Sequence, residues 1–284
     1  MRKLAKLPRG VNCTNIGRRR ILFAAGSLTA PCRTIPAPAD TCDPEFRIAL
    51  DVGHTLARPG ATSAYGIPEF EYNRRLANAV DRRLQDRGVS TVLIGQHGLP
   101  IGLTERTAIA AKACASAFLS IHHDSVQPHY LSTWSPAGSP RQYSDAFSGY
   151  SLFISTQTTT TSESRRLAEI LGDALLASGQ TPSLHHAEAI TGENHLLLDP
   201  HRGIYRFDEL AVLRTARMPA VLLEAAIIVN RREEDALRSS EGLERMVAAI
   251  TQAILSYCHV HSRSVSTGSA EQAPRHPAGS VKRP

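Results

Sequence analysis

Short apolar runs alternate with amphipathic stretches from residue 46 to residue 258, and that rhythm limits the fold more than any single residue does. Residues 46–51 (FRIALD), 89–94, 117–121 (AFLSI), 149–155 (GYSLFIS) and 220–225 (AVLLEA) read as strands. Residues 71–87 read as a helix, because Tyr72, Leu76, Val80 and Leu84 recur every four positions while Arg74, Arg75, Arg82 and Arg83 face away. Gly88 is the residue type that commonly follows such a helix. Thr104 and Ser162 are expected to cap helices running to about residue 115 and over 163–178. Leu243, Met246, Val247, Ile250 and Ile254 form the apolar stripe of a last helix over 242–257. Strands alternating with helices of this length predict a single α/β domain: a mostly parallel, twisted sheet of about six strands with helices on both faces. Segments 126–148 and 180–200, rich in Ser, Pro, Gly and His, break the rhythm and show no period of their own. Long irregular insertions in a compact domain commonly form lips around a site.

The chain carries 32 Lys and Arg against 26 Asp and Glu, a formal charge of +6, but the excess sits at the ends. Residues 1–39 hold eight basic residues and no acid, and residues 263–284 hold four basic residues and one acid. Residues 40–262 keep 20 basic and 25 acidic groups, so the folding region is mildly acidic and no nucleic-acid partner is expected. Residues 1–39 read as an export signal of the twin-arginine-like or Sec kind. Arg18, Arg19 and Arg20 precede a short apolar run over 21–30, and Ala37-Pro38-Ala39 offers a cleavage site. The mature protein, residues 40 onward, is then expected in the periplasm or outside the cell. No membrane span is expected in it, since no stretch approaches the roughly 20 apolar residues that a spanning helix needs. Of the five cysteines, Cys13 and Cys32 leave with the signal. Cys42 and Cys258 lie at opposite edges of the catalytic region, 40–261, and can pair in an oxidising compartment. Cys114 is expected on an apolar helix face, in the core. Residues 262–284 read as a disordered tail.

In an open α/β sheet, reactive groups gather beyond the carboxyl ends of the strands. Asp51-Val52-Gly53-His54 follows the first strand, and Glu69 lies in the loop before the next helix. Ser120-Ile121-His122-His123-Asp124 follows the third strand, and Leu222-Leu223-Glu224 ends the strand entered through Pro219. Two imidazoles and two carboxylates thus face one rim. That is the composition of a catalytic zinc site, in which three protein ligands leave a position for water and a separate acid takes the proton. Glu224, set among Leu222, Leu223, Ala225 and Ala226, suits the acid, because a carboxylate in so apolar a strand is costly unless paired or near a metal. His123 points to the face opposite His122 and is the fallback ligand. Glu71 is more simply a solvated acid in the first turn of a helix. His185, His186, His195 and His201 belong to or border the second insertion; most are expected at the surface, with one in reach of substrate.

Asp51-x-Gly-His54, Glu69 followed by Asn73, Arg106 upstream of Phe118-Leu-Ser-Ile-His122, and Met218-Pro-Ala-Val-Leu-Leu-Glu224 followed by Asn230 keep one order along the chain. In these blocks the chain resembles the zinc-dependent N-acetylmuramoyl-L-alanine amidases of bacterial cell-wall turnover, over about residues 46–256. It departs from the family pattern at Val52 (usually Pro), Thr55 (Gly), His123 (Ala) and Ala225-Ala226-Ile227 (Leu-Gly-Phe). The resemblance implies His54, Glu69 and His122 as ligands of one zinc ion per chain and Glu224 as the catalytic carboxylate. It implies hydrolysis of the amide between N-acetylmuramic acid and L-alanine of the stem peptide, by zinc-activated water with Glu224 as general base. Peptidoglycan is then the partner, with room for an activator or regulatory protein. Arg106 and Arg202 are candidates for gripping a substrate carboxylate. Two rival readings use the same residues differently. A zinc exopeptidase acting on wall peptides needs the same ligands and base. A non-catalytic peptidoglycan-binding or regulatory module has no physical reason to keep all four residues.

Overall fold

The computed structural model of the protein describes residue 42 and residues 44–270, with side chains to residue 261. The expected export signal, with Cys13 and Cys32, and residues 271–284 of the expected tail lie outside the described residues. In chain order the strands are β1 (Arg47–Val52), β2 (Ser90–Ile94), β3 (Ala117–Asp124), β4 (Ser132–Trp134), β5 (Arg141–Tyr143), β6 (Ser151–Ile154), β7 (Leu197–Asp199), β8 (Ile204–Arg206) and β9 (Ala220–Ile227). The helices are α1 (Glu69–Asp86), α2 (Leu103–Lys112), α3 (Thr161–Ala177), α4 (Ala211–Arg214), α5 (Arg231–Arg238) and α6 (Ser240–Ala270).

Seven strands make one sheet in the order β2-β1-β3-β9-β6-β8-β7. The first four are mutually parallel; β6 runs antiparallel to β9, β8 parallel to β6, and β7 antiparallel to β8. The sheet is therefore mostly parallel and has one strand more than expected, because β7 and β8, at three residues each, are too short to show an alternation. Its strands are apolar almost throughout because both faces are covered. Leu50, Leu119, Ile121 and Leu223 pack into one core layer with Leu76 and Val80 of α1, Leu171 of α3 and Ile250 of α6. Ala49, Phe118, Phe153 and Leu222 point the other way, onto a smaller layer that includes Ala110 of α2 and Leu213 of α4.

Several boundaries differ from the sequence expectation. Helix α1 starts two residues early, straight after Pro68, so Glu69 is its first residue and not part of a loop. Gly102 and Thr160, not Thr104 and Ser162, occupy the positions before α2 and α3. Helix α6 continues to Ala270, into the expected tail, and no Pro or Gly lies between residues 243 and 267 to stop it. Cys114 is exposed in a left-handed conformation (φ 54°) just past α2, not in the core, because that helix ends at Lys112. Cys42 and Cys258 are disulfide-bonded, with Cα atoms 5.7 Å apart, which ties the entry of β1 to α6. The 126–148 insertion folds into the β4–β5 hairpin, held to the body where Trp134 Nε1 donates to the Ala64 carbonyl at 2.8 Å. Among the described residues no helix is long and apolar enough to cross a membrane.

Candidate metal centre

Parallel pairing alone brings three of the expected residues together. In the register of β3 and β9, His122 stands directly opposite Glu224, and β1 ends one strand away at Val52, opposite Ile121. Gly53 follows with its N–H donating to the Ile121 carbonyl at 3.0 Å. A side chain there would run into the His122 ring, so only glycine lets β1 end this close. His54 then adopts a left-handed backbone (φ 69°), costly for a residue other than glycine. The surrounding structure holds it there. Arg106 of α2, almost fully buried, donates to the carbonyls of Val52 (2.5 Å) and His54 (2.7 Å) and to Asp51 Oδ1 (2.6 Å). Ser120 Oγ donates to the other oxygen of Asp51 at 2.7 Å.

Glu69, at the first position of α1, completes the group. His54 Nε2 lies 2.8 Å from Glu69 Oε2 and His122 Nδ1 lies 3.1 Å from Glu69 Oε1. One donor atom from each of the three residues falls within 4.8 Å of the others. Glu69 is fixed by Asn73 one turn along the helix, whose Nδ2 donates to Oε1 at 3.0 Å, and by the Ala61 N–H, which donates to Oε2 at 3.1 Å. Gly60, at φ 79°, leaves room that a Cβ would take from Glu69 and His54. Burial by itself would raise the Glu69 carboxyl, but contacts from His122 and His54 outweigh it and hold the group well below the usual carboxylate range. Two imidazoles and one anionic carboxylate suit zinc and leave a further coordination position open.

Glu224 behaves differently. Its Oε2 is buried without a hydrogen-bond partner. Burial first, then the negative charges of Asp124 and Glu69, push its carboxyl well above the ordinary value. It opens, with His54 and His122, onto a pocket of about 320 Å³. His186, Glu193 and His195 from the 180–200 insertion line the same pocket, as do Phe153 and Phe207. One insertion is thus a wall of the site, as expected of it.

The remaining candidates fall elsewhere. His123 is fully buried on the far side of β3, where its Nδ1 meets Asn73 Oδ1 at 2.8 Å; burial lowers it to about 4, so it stays neutral. Arg106 is not free to grip substrate, because its guanidinium is spent on the end of β1. Arg202 is not among the residues lining the pocket and bonds Asp173 and Asp199. Most of the four histidines of this region were expected at the surface; His201 is exposed, but His185 and His186 are buried, and His186 and His195 line the pocket. His185 and His186 lie in a one-turn 3-10 helix, His185–Ala187, and turn toward Asp124 at the end of β3. Sequence reasoning missed this grouping; the adjacent His-His pair was its one visible sign.

The comparisons with known proteins point to one family. The sequence profile of the N-acetylmuramoyl-L-alanine amidase family matches residues 48–256. The chain is 27% identical over 237 residues to the N-acetylmuramoyl-L-alanine amidase AmiC of Neisseria meningitidis, covering 74% of this chain but only about half (52%) of that relative. It is 28% identical over 225 residues to AmiA of Escherichia coli, covering 75% of this chain and 76% of the relative. Among solved structures, the amidase Ami1 of Mycobacterium smegmatis shares the fold at a TM-score of 0.61 and 21% identity, over 76% of this chain and 97% of that one. With a profile spanning both imidazoles, Glu69 and Glu224, the chain belongs to the N-acetylmuramoyl-L-alanine amidase family.

Proposed function

We propose that the protein is an exported zinc-dependent peptidoglycan hydrolase that cuts the amide between N-acetylmuramic acid and the L-alanine of the stem peptide. One observation carries the reading: two imidazoles and a carboxylate from three separate elements converge within 4.8 Å, and a fourth residue in the same pocket is an acid with a buried oxygen that has no hydrogen-bond partner. His54, Glu69 and His122 would hold the ion. When bound there, zinc supplies Lewis acidity toward the scissile carbonyl and makes nearby water more acidic.

The remaining work falls to this chain's own groups. Glu224 takes a proton from water as the water oxygen attacks the lactyl carbonyl. It returns that proton to the alanine nitrogen as the carbon–nitrogen bond breaks, leaving a carboxyl on the muramic acid and a free amine on the peptide. A carboxyl held above its ordinary value suits this double role, since it can keep the proton between the two transfers. A cation at the neighbouring cluster would offset the charge of Glu69 and let Glu224 ionise for the first transfer. Arg106 and Asn73 position ligands and touch no substrate. Export agrees with the Cys42–Cys258 disulfide, a bond that persists in oxidising compartments.

The test is digestion of purified peptidoglycan by the full chain, with and without a chelator, followed by mass spectrometry. Release of intact stem peptides, abolished by the chelator and restored by zinc, is the expected result. Shortened peptides would replace the amidase reading with the exopeptidase one, and zinc binding without any product would leave only the binding module.

A further inference from the structure

Beyond the end of β3, three more potential ligands converge, and one of them, His186, lines the same pocket as His54. His185 Nε2 and His186 Nε2 lie 3.2 and 2.9 Å from the same oxygen, Asp124 Oδ2. All three atoms are buried, and none makes a hydrogen bond of proper alignment. A carboxylate serving two ordinary ion pairs would divide its oxygens between them. Here Oδ1 instead accepts the Ser125 N–H at 2.7 Å, and both rings turn to Oδ2. Ligands about 2.0–2.1 Å from a tetrahedral ion stand roughly 3.3 Å from one another, close to the separations found.

The outer nitrogens of the two rings are fixed as they are in metal sites. His185 Nδ1 meets Ser183 Oγ at 2.8 Å. His186 Nδ1 meets Glu193 Oε2 at 2.7 Å, and Glu193 in turn accepts from Gln127 Nε2 at 2.8 Å. A carboxylate behind a ligating imidazole settles its tautomer and leaves Nε2 free to bind. Glu193 thus leaves His186 Nε2 free toward Asp124, and Ser183 holds the His185 ring with its Nε2 toward the same oxygen.

We propose that Asp124, His185 and His186 form a second zinc site, which pins the 180–200 insertion to the end of β3. Two nitrogens and a carboxylate oxygen are a donor set that zinc accepts, with a position left for water. The rival is a metal-free ion pair in which one imidazole carries a proton. Because the second site shares no ligand with the first, the proposal does not depend on the amidase reading.

Equilibrium dialysis of the chelator-stripped full chain against zinc, read by elemental analysis, decides between them. Two zinc ions per chain are expected in the parent protein, where the family resemblance implies one. His54→Ala should keep one ion, and His186→Ala should also keep one, at the other site. The double variant should keep none. With cobalt(II) in place of zinc, the visible absorption of one of the two equivalents should vanish in His186→Ala. A His54→Ala protein that takes up no zinc overturns the proposal, and so does a parent protein whose single ion is kept in His186→Ala. One ion that survives His54→Ala but not His186→Ala would uphold this site while removing the metal from the amidase mechanism.

Discussion

The two histidine–carboxylate clusters both reach one pocket, through His54 and His122 and through His186, but are built by opposite strategies. In the first, His54, Glu69 and His122 come from the end of β1, the start of α1 and the end of β3, and the sheet itself determines where they meet. In the second, two of three members are sequence neighbours in an irregular insertion, and only Asp124 belongs to the sheet. The first cluster is braced by a charge, the buried Arg106. The second is braced by a side-chain relay through Glu193 and Gln127. A site built on strand ends inherits its precision from the core, whereas a site built on an insertion must carry its own supports.

The sharpest way to break the comparison is to remove Glu224, the acid that shares their pocket. Glu224→Gln should retain zinc and lose peptidoglycan hydrolysis by about 10²–10⁴-fold, the range that a positioned acid–base group supplies. His54→Ala should lose both the ion of the first cluster and turnover. Paired elemental analysis and product release separate the two outcomes. A Glu224→Gln protein of full activity would remove Glu224 from the chemistry.

The braces come next. Arg106→Met leaves Asp51 buried beside the end of β1 without its cation, and breaking a buried pair from one side costs about 3–5 kcal/mol. Denaturant unfolding should show that loss, and zinc affinity should fall with it, because the His54 carbonyl loses its donor. Glu193→Gln acts on the other cluster. It should weaken zinc binding there by about 10–100-fold, the usual effect of removing a carboxylate behind a ligating imidazole, while the first cluster binds as before. If both substitutions weakened both sites equally, the two braces would not be independent.

The same contrast explains what the sequence could reveal. His54, His122 and Glu224 were legible because a parallel strand, once recognised, fixes where its last residues point. Glu69 was singled out but placed in a loop, since nothing before Pro68 signals that α1 begins there. The paired histidines were not singled out from four of which most were expected at the surface. Their burial depends on the path of the 180–200 backbone, which follows no period and is set by contacts with β3, β6 and β8: Asp124 with His185, and the Ser151 and Tyr205 hydroxyls donating to the Ser183 carbonyl. The hairpin β4–β5 escaped for the same reason: three-residue strands are too short to declare an alternation. The two arginines show a further limit. A sequence reveals a cation with bidentate capacity but not which carboxylate will claim it.

Arg202 gives the smallest effect and tests that last point. Its Nε and Nη2 donate to Asp173, at 2.7 and 3.2 Å, and its Nη1 to Asp199 at 2.9 Å, while its aliphatic stem crosses Gly172 of α3, where no larger residue would fit. Asp173 is more than half exposed, and pairs of this kind contribute about 0.2–1 kcal/mol each. Arg202→Ala should therefore lower stability by no more than about 1–2 kcal/mol, part of it lost packing, and the loss should shrink at high salt. Zinc content should be unchanged, and hydrolysis with it, since Arg202 borders neither cluster. A selective rise in KM for peptidoglycan, with zinc content and stability intact, would return Arg202 to the substrate and show that the binding surface extends beyond the pocket to the outer edge of the sheet.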